Sequence, residues 1–260
     1  MNSQRGNTAA NRNFALFSLW LSKILRAFPL VPERVDAPEL LEQGMGTLDD
    51  VRINLREMWR INRWLGGLRA LTIHLFPCLR QHHKHITIVD LGSGSGEMAT
   101  YITNWIERQQ LAATVLPLEY EQRHLDVTGA TQKTSLNFVQ ADALALPFAQ
   151  NHVDYYISSL LLHHLAPEQV VTLLRDTYAN ARHGIIMTDL VRGYLPLAAF
   201  ALVKPIFARH PFTWHDGKRS IQRAYTPDEL HTLAQAAGIK DVRIQSHFPW
   251  RMTLVALKSE

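Results

Sequence analysis

The run VDLGSGSGEMA, residues 89–99, constrains this chain more than any other stretch. An apolar segment ends in Asp90, and glycines follow at 92, 94 and 96, where a helix is expected to begin. A strand stopping there leaves bare backbone at the carboxyl end of a sheet, the place where open α/β sheets bind ligands. A dinucleotide fingerprint with glycines at 92 and 94 needs glycine or alanine at 97, and that position is Glu97. A carboxylate there opposes a pyrophosphate at the helix N-terminus. The spacing instead suits a ligand with an amino acid end and no phosphate.

From Ile86 onward short apolar runs alternate with helical stretches. Strands are predicted near 86–91, 114–119, 136–140, 153–158 and 184–189, with helices near 96–109, 121–130 and 167–181. Such alternation implies a parallel sheet covered on both faces. An apolar inserted helix is expected over about 194–210. The run TPDELHTLAQAAG carries a full set of helix signals: Thr226 as cap, Pro227 at the first helical position, Glu229 completing a capping box and Gly238 as the stop. The last two apolar runs, 241–248 and 251–257, are separated only by Pro249-Trp250, so they pair as an antiparallel hairpin.

After a polar start, the chain to about residue 82 reads as helices. TLDDVRINLREMWRINRWLGG puts Val51, Leu55, Met58, Ile61 and Leu65 on one stripe and stops at Gly66-Gly67. A further helix over 68–81 is expected to bend or end near Pro77. Phe14, Phe17, Leu21, Leu25 and Phe28 recur at helical spacing. That makes residues 13–28 an amphipathic helix, packed on the domain or in peripheral contact with a membrane. The expected organisation is a helical N-terminal extension or lid, 1–82, followed by a ligand-binding domain, 83–260.

A hydrophobic content of 47% with 19% charged residues over 260 positions is that of a folded chain with a sizeable core. The net charge of +4 comes from scattered cations, which does not argue for nucleic acid. No run reaches the roughly 18 apolar residues of a membrane span. The single cysteine, Cys78, rules out an internal disulfide and a cysteine-built zinc site, and fits a reducing cytoplasm. The histidines of QHHKH, 81–85, are consecutive and lack a carboxylate, so they read as a solvated loop and no metal is expected.

On these residues the chain resembles the class I S-adenosylmethionine-dependent methyltransferases. VDLGSGSG is similar to their first motif, LEYE to the end of their second strand, QADALALPF to the motif after the third, and VDYYISSLLLHHL to their fourth-strand motif. The hairpin matches their sixth and seventh strands, so the resemblance covers roughly residues 85–257. It implies a seven-stranded Rossmann-like methyltransferase fold, α/β and mostly parallel. The implied cofactor is S-adenosylmethionine, with Asp90, Gly92, Ser93, Gly94 and Gly96 at its methionine end. Glu119 and Tyr120 would lie at the ribose, Asp142 and Ala143 at the adenine, and Ser159 on the path to the methyl group. The 29 positions from Asp90 to Glu119 exceed the family's usual spacing and Pro117 interrupts the strand, which leaves Glu121 as the alternative ribose acid.

For a hydroxyl acceptor the protein must also remove a proton. His164, after the fourth strand, and His215, on a loop before the final helix and beside Asp216, are the candidate bases. The position where base-methylating enzymes carry an Asn- or Asp-Pro-Pro-aromatic motif reads SSLL, which favours a small molecule over nucleic acid. PERVD, INRWLGG, DLVRG and HDGKRSIQRAYTPDEL are similar to a subgroup related to the quinone-biosynthesis methyltransferases. That likeness implies O-methylation of a phenolic, polyketide or quinone-type acceptor, with C-methylation of a quinone precursor as the alternative. The apolar N-terminal and 195–207 helices would then cover an aromatic or apolar acceptor. A non-catalytic protein that binds the cofactor and a partner is a further reading, and a nicotinamide oxidoreductase is opposed by Glu97 and the hairpin. Calorimetric titration should show micromolar S-adenosylmethionine binding, weakened at least tenfold, about 1.4 kcal/mol, by Glu119→Ala. Tight NAD binding in its place would overturn the reading of the glycine turn.

Overall fold

The computed structural model describes residues 31–131 and 136–258, without the side chains of 129–131. The helix expected over 13–28 lies outside the described residues. The chain divides into two compact units, residues 1–33 and 34–260, and every element below belongs to the second.

Seven strands form one sheet: β1 (Ile86–Leu91), β2 (Ala113–Glu119), β3 (Val139–Gln140), β4 (Tyr155–Ser159), β5 (Gly184–Leu190), β6 (Arg243–His247) and β7 (Arg251–Leu257). Their order is β3-β2-β1-β4-β5-β7-β6. The first five strands run parallel, and β7 lies antiparallel between β5 and β6. This is the seven-stranded Rossmann-like arrangement with its terminal hairpin. β3 is shorter than expected, because β2 offers it only Leu118 and Glu119. Beyond those two residues that side of β2 is an edge, where a proline is tolerated. Accordingly β2 runs on through Pro117, which stands opposite Asp90, and is not interrupted there.

The helices are α1 (Leu48–Trp64), α2 (Gly67–Arg80), α3 (Glu97–Arg108), α4 (Gln122–Thr131), α5 (Pro167–Asn180), α6 (Tyr194–Phe207), α7 (Pro211–Arg223) and α8 (Pro227–Ala236). Successive strand residues face opposite sides. Val89, Tyr156, Ile185 and Met187 therefore pack with Leu173 and Leu174 of α5 and Leu230 of α8 on one face. Ile88, Ile157 and Ile186 pack with Leu71 and Leu75 of α2 and Ile102 of α3 on the other. α2 does not end at Pro77. Beyond it the helix buries Leu79, as it buries Leu71 and Leu75 before it, and about 1.5–3 kcal/mol for that one side chain offsets most of the roughly 3 kcal/mol cost of an interior proline.

α7 replaces the loop expected around His215. Within α7, a Cβ on Gly217 would stand 2.5 Å from Phe200 Cζ, so this glycine permits close packing of α7 on α6. α1 departs from its predicted stripe as well: Val51 and Ile61 are buried, but so are Asn54, Glu57 and Asn62. Glu57 accepts hydrogen bonds from the Arg209 and His210 amides, both at 3.1 Å, and so holds the start of α7. α8 has the predicted cap, with the Glu229 amide donating to Thr226 Oγ1 at 3.2 Å and the Thr226 amide to Glu229 Oε2 at 2.8 Å.

α3 starts from Gly96 at φ +80°, and a Cβ on it would meet Phe138 Cζ at 2.5 Å. Gly96→Ala should therefore lower stability by about 1–3 kcal/mol, measured by urea unfolding. An unchanged midpoint would show that Phe138 does not pin this turn.

Candidate active site at the carboxyl ends of β1 and β4

Because β2 and β4 flank β1, the chain leaves β1 and β4 toward opposite faces and opens a crevice at their carboxyl ends. A cavity of about 470 Å³ occupies it. The turn after β1 and the end of β2 form one half, and the segment after β4 forms the other. α1 contributes Asn54, Leu55, Met58, Trp59 and Asn62, and the segment before it Glu39, Leu41 and Glu42.

In the first half, Glu119 Oε2 accepts from the Gly94 amide at 2.7 Å, and Oε1 accepts from the Glu121 amide at 2.9 Å. His124 Nδ1 lies 3.4 Å from the same carboxylate. Burial pushes Glu119 up, but His124 and the two amides outweigh it and hold the group below the usual carboxylate range. Asp90 has no such support. It is 1% exposed, its Oδ2 meets no hydrogen-bond donor among the described residues, and burial together with nearby Glu119 raises its pKa to about 8.

Among the described residues no lysine or arginine lines this cavity. Glu119 has only the His124 ring beside it and Asp90 has no cation, an arrangement that suits a ligand bringing positive charge and opposes a phosphate. The ammonium and sulfonium of S-adenosylmethionine meet that condition. A Cβ on Gly94 would have only Leu55 Cδ2 near it, at 3.5 Å, so the missing side chain leaves room on the cavity side of the turn. Asp90 and Glu119 would hold the cofactor beside the backbone of Gly92, Ser93 and Gly94.

Asp90, Gly92, Ser93, Gly94, Glu119, Tyr120 and Ser159 line the cavity together, and Glu121 lines it too. Three expected cofactor residues lie off this lining. Gly96 is packed under Phe138. Asp142 is exposed and its Oδ1 accepts from the Leu144 amide at 2.8 Å, so it closes a turn, with Ala143 inside that turn. Ser159 Oγ accepts from Asn62 Nδ2 at 3.0 Å, a link from α1 that its predicted apolar stripe did not contain.

In the second half His163, the neighbour of His164 after β4, is the histidine most firmly held by a carboxylate. It is 1% exposed, its Nδ1 lies 2.7 Å from Asp189 Oδ1, and its amide donates to Asp189 Oδ2 at 2.9 Å. Burial pushes Asp189 up, but His163 and the Leu190 amide prevail and keep it ionised. In the neutral ring Nδ1 then carries the proton and Nε2 offers its lone pair, 3.7 Å from Glu39 Oε1. His164 also lines the cavity with its Nδ1 bonded to a carboxylate, Glu42, but there burial, which pushes the ring's pKa down, is outweighed by Glu39 and Glu42, and the raised pKa favours the protonated form. Glu42 in turn takes Arg223 Nη1 on both oxygens at 2.7 Å and is held at about 2. His215 lies off the cavity on α7, with Nδ1 3.0 Å from Asp216 Oδ1, an oxygen that also accepts from the Leu40 amide.

Glu39, His163 and His164 place metal-ligand atoms within 4.8 Å of one another. Each already has a protein partner, Ser220 at 2.5 Å in the case of Glu39, so the cluster reads as a hydrogen-bonded proton network. The QHHKH histidines are not simply solvated: His82 Nε2 pairs with Tyr155 Oη at 2.8 Å and His85 Nε2 with Thr114 Oγ1 at 2.9 Å. α6 supplies no lining residue. Its Leu197 and Phe200 pack with Ile61 of α1.

Asp90 should carry a measurable penalty. With its pKa raised to about 8, the ligand-free fold binds that proton more tightly than the unfolded chain and loses stability as pH rises from about 4 to about 8. Asp90→Asn should therefore stabilise the ligand-free protein at neutral pH, with a gain that grows over that window, and weaken S-adenosylmethionine at least tenfold. Thermal unfolding and calorimetry check the two effects, and a variant that is less stable at pH 8 than the parent would refute the assignment.

Residues 88–184 match the family model described as a methyltransferase domain. A comparison with curated proteins gives no match. Among solved structures, human N-acetylserotonin methyltransferase in complex with SAM is similar with a TM-score of 0.61 and 18% identity, over 87% of this chain and 61% of that one. The plantazolicin methyltransferase BpumL in complex with SAH gives a TM-score of 0.61 at 12% identity, over 82% and 91%. A SAM-dependent methyltransferase from Aquifex aeolicus gives 0.54 at 12%, over 82% and 99%. The chain spans about six-tenths of the length of the first of these. Residues 88–184 are thus similar to a methyltransferase domain, on a fold shared with methyltransferases solved in complex with SAM or SAH.

Proposed function

We propose that the chain is an enzyme that methylates an oxygen of a small, largely apolar molecule. The observation that carries this reading is the buried His163–Asp189 pair on the wall of the cavity that holds Asp90 and Glu119 at its other end. The cofactor supplies an electrophilic methyl group. The protein's task is then to align the acceptor oxygen and accept its proton, and His163 Nε2 is the group free to do so, with Asp189 fixing the ring and stabilising the imidazolium. Leu41, Met58, Trp59 and Leu161 give the acceptor half apolar walls, while Asn62 and Ser159 supply polar atoms for orientation.

A phenolic, polyketide or quinone-type acceptor suits that lining. Two of the similar folds are named for small-molecule acceptors, N-acetylserotonin and plantazolicin. The finer likeness to quinone-biosynthesis methyltransferases, and a cytoplasmic setting, belong to the same proposal and rest on the sequence segments alone.

Transfer of labelled methyl groups to a panel of phenols and hydroxyquinones tests the proposal. His163→Ala should lower kcat by about 10²–10⁴-fold with little change in the Kd for S-adenosylmethionine. An unchanged kcat would remove His163 as the base, and methyl groups found only on carbon would overturn the reaction class.

A further inference from the structure

α6 inverts the usual surface pattern. Its exposed residues include Tyr194, Leu195, Ala198, Ala201, Leu202 and Ile206, and its one charged residue is Lys204. At about 100° per residue these positions fill one continuous arc of about 140°. Leu202 is 80% exposed and Leu195 70%. Because α6 lines no part of the cavity, the active site does not explain this face.

The charges around it say what covers it. Lys204 Nζ sits 3.8 Å over the exposed Trp214 ring. Arg60 Nη2 donates to the Ile206 carbonyl at 3.2 Å, and Arg209 Nε to the Pro205 carbonyl at 3.2 Å. Across 194–223 the single acid, Asp216, is buried, and of the five lysines and arginines only Arg223 is buried, on Glu42, which leaves Lys204, Arg209, Lys218 and Arg219. Two copies meeting through this face would bring like charges together, whereas anionic headgroups would neutralise them.

We propose that the outer face of α6 docks on the surface of an anionic lipid bilayer, with Leu195, Leu202 and Ile206 entering the headgroup boundary and Lys204, Arg60 and Arg209 on lipid phosphates. An apolar stripe bordered by cations and an interfacial tryptophan is the arrangement such contact requires. Among the described residues no helix is long and apolar enough to cross a membrane, so the contact lies in the plane of the interface. The inference does not depend on the acceptor or on the reaction.

Flotation of the full chain with phosphatidylglycerol-containing vesicles and with pure phosphatidylcholine vesicles tests it. Binding should be at least tenfold stronger to the anionic vesicles and fall with added salt. The double variant Leu202→Asp/Ile206→Asp should lose at least tenfold in vesicle affinity while keeping its thermal midpoint and its S-adenosylmethionine Kd. Lys204→Glu/Arg209→Glu should reduce the preference for anionic lipid. Absence of vesicle binding, or equal binding by the aspartate variant, would overturn the proposal. So would a concentration-dependent dimer that the same variant abolishes, since a second copy would then own the face.

Discussion

Everything in this molecule hangs on β1 being an inner strand from which the sheet extends both ways. β2 and then β3 follow on one side, β4 and then β5 on the other, so the connections leave toward opposite faces and the carboxyl ends of β1 and β4 stay uncovered. The glycine turn, the acid at the end of β2 and the 3₁₀ turn Leu162–His164 after β4 reach one cavity because of that reversal. Leu160, at φ 64°, is a non-glycine residue in the left-handed region at this junction. Such conformations persist where the surroundings over-determine them, and here the Leu160 amide is tied to the Thr188 carbonyl of β5 at 2.9 Å.

The two halves of the cavity treat buried charge differently. Asp189 is fully served by the His163 ring and by backbone amides, which makes it an inexpensive buried anion. Asp90 is left with an oxygen that nothing in the described chain satisfies. A fold that keeps such a group gives up stability that a neutral residue would return, and regains it only when a cationic ligand arrives.

Much of this was legible in the sequence where the signal was local. The strands from Ile86, the capping box at Thr226 and the hairpin at 243–257 announce themselves within a few residues, and the glycine turn and Glu119 do line one cavity. What was not legible depends on long-range contact. The loop expected around His215 is helix, with Gly217 packed on Phe200, and Pro77 reads as a bend or an end until Leu79 beyond it is seen to be buried. The choice between His163 and His164 turns on Asp189 and Glu42, residues 26 and 122 positions away, which no local pattern reveals. Asp142 has a local role that the motif does not announce, since its side chain also closes a turn.

The segment before α1 has a consequence for how the cavity comes into being. Arg34 reaches the carbonyls of His163 and Leu165, Glu42 meets Arg223 and His164, and Ser220 bonds to Glu39, links that span 122–181 positions of chain. Gly94 and Glu119, by contrast, are 25 positions apart. Closing long loops costs more entropy and follows the closing of short ones. On loop length alone, the contact between the turn after β1 and the end of β2 should form before the beginning of this unit is drawn across to the segment after β4.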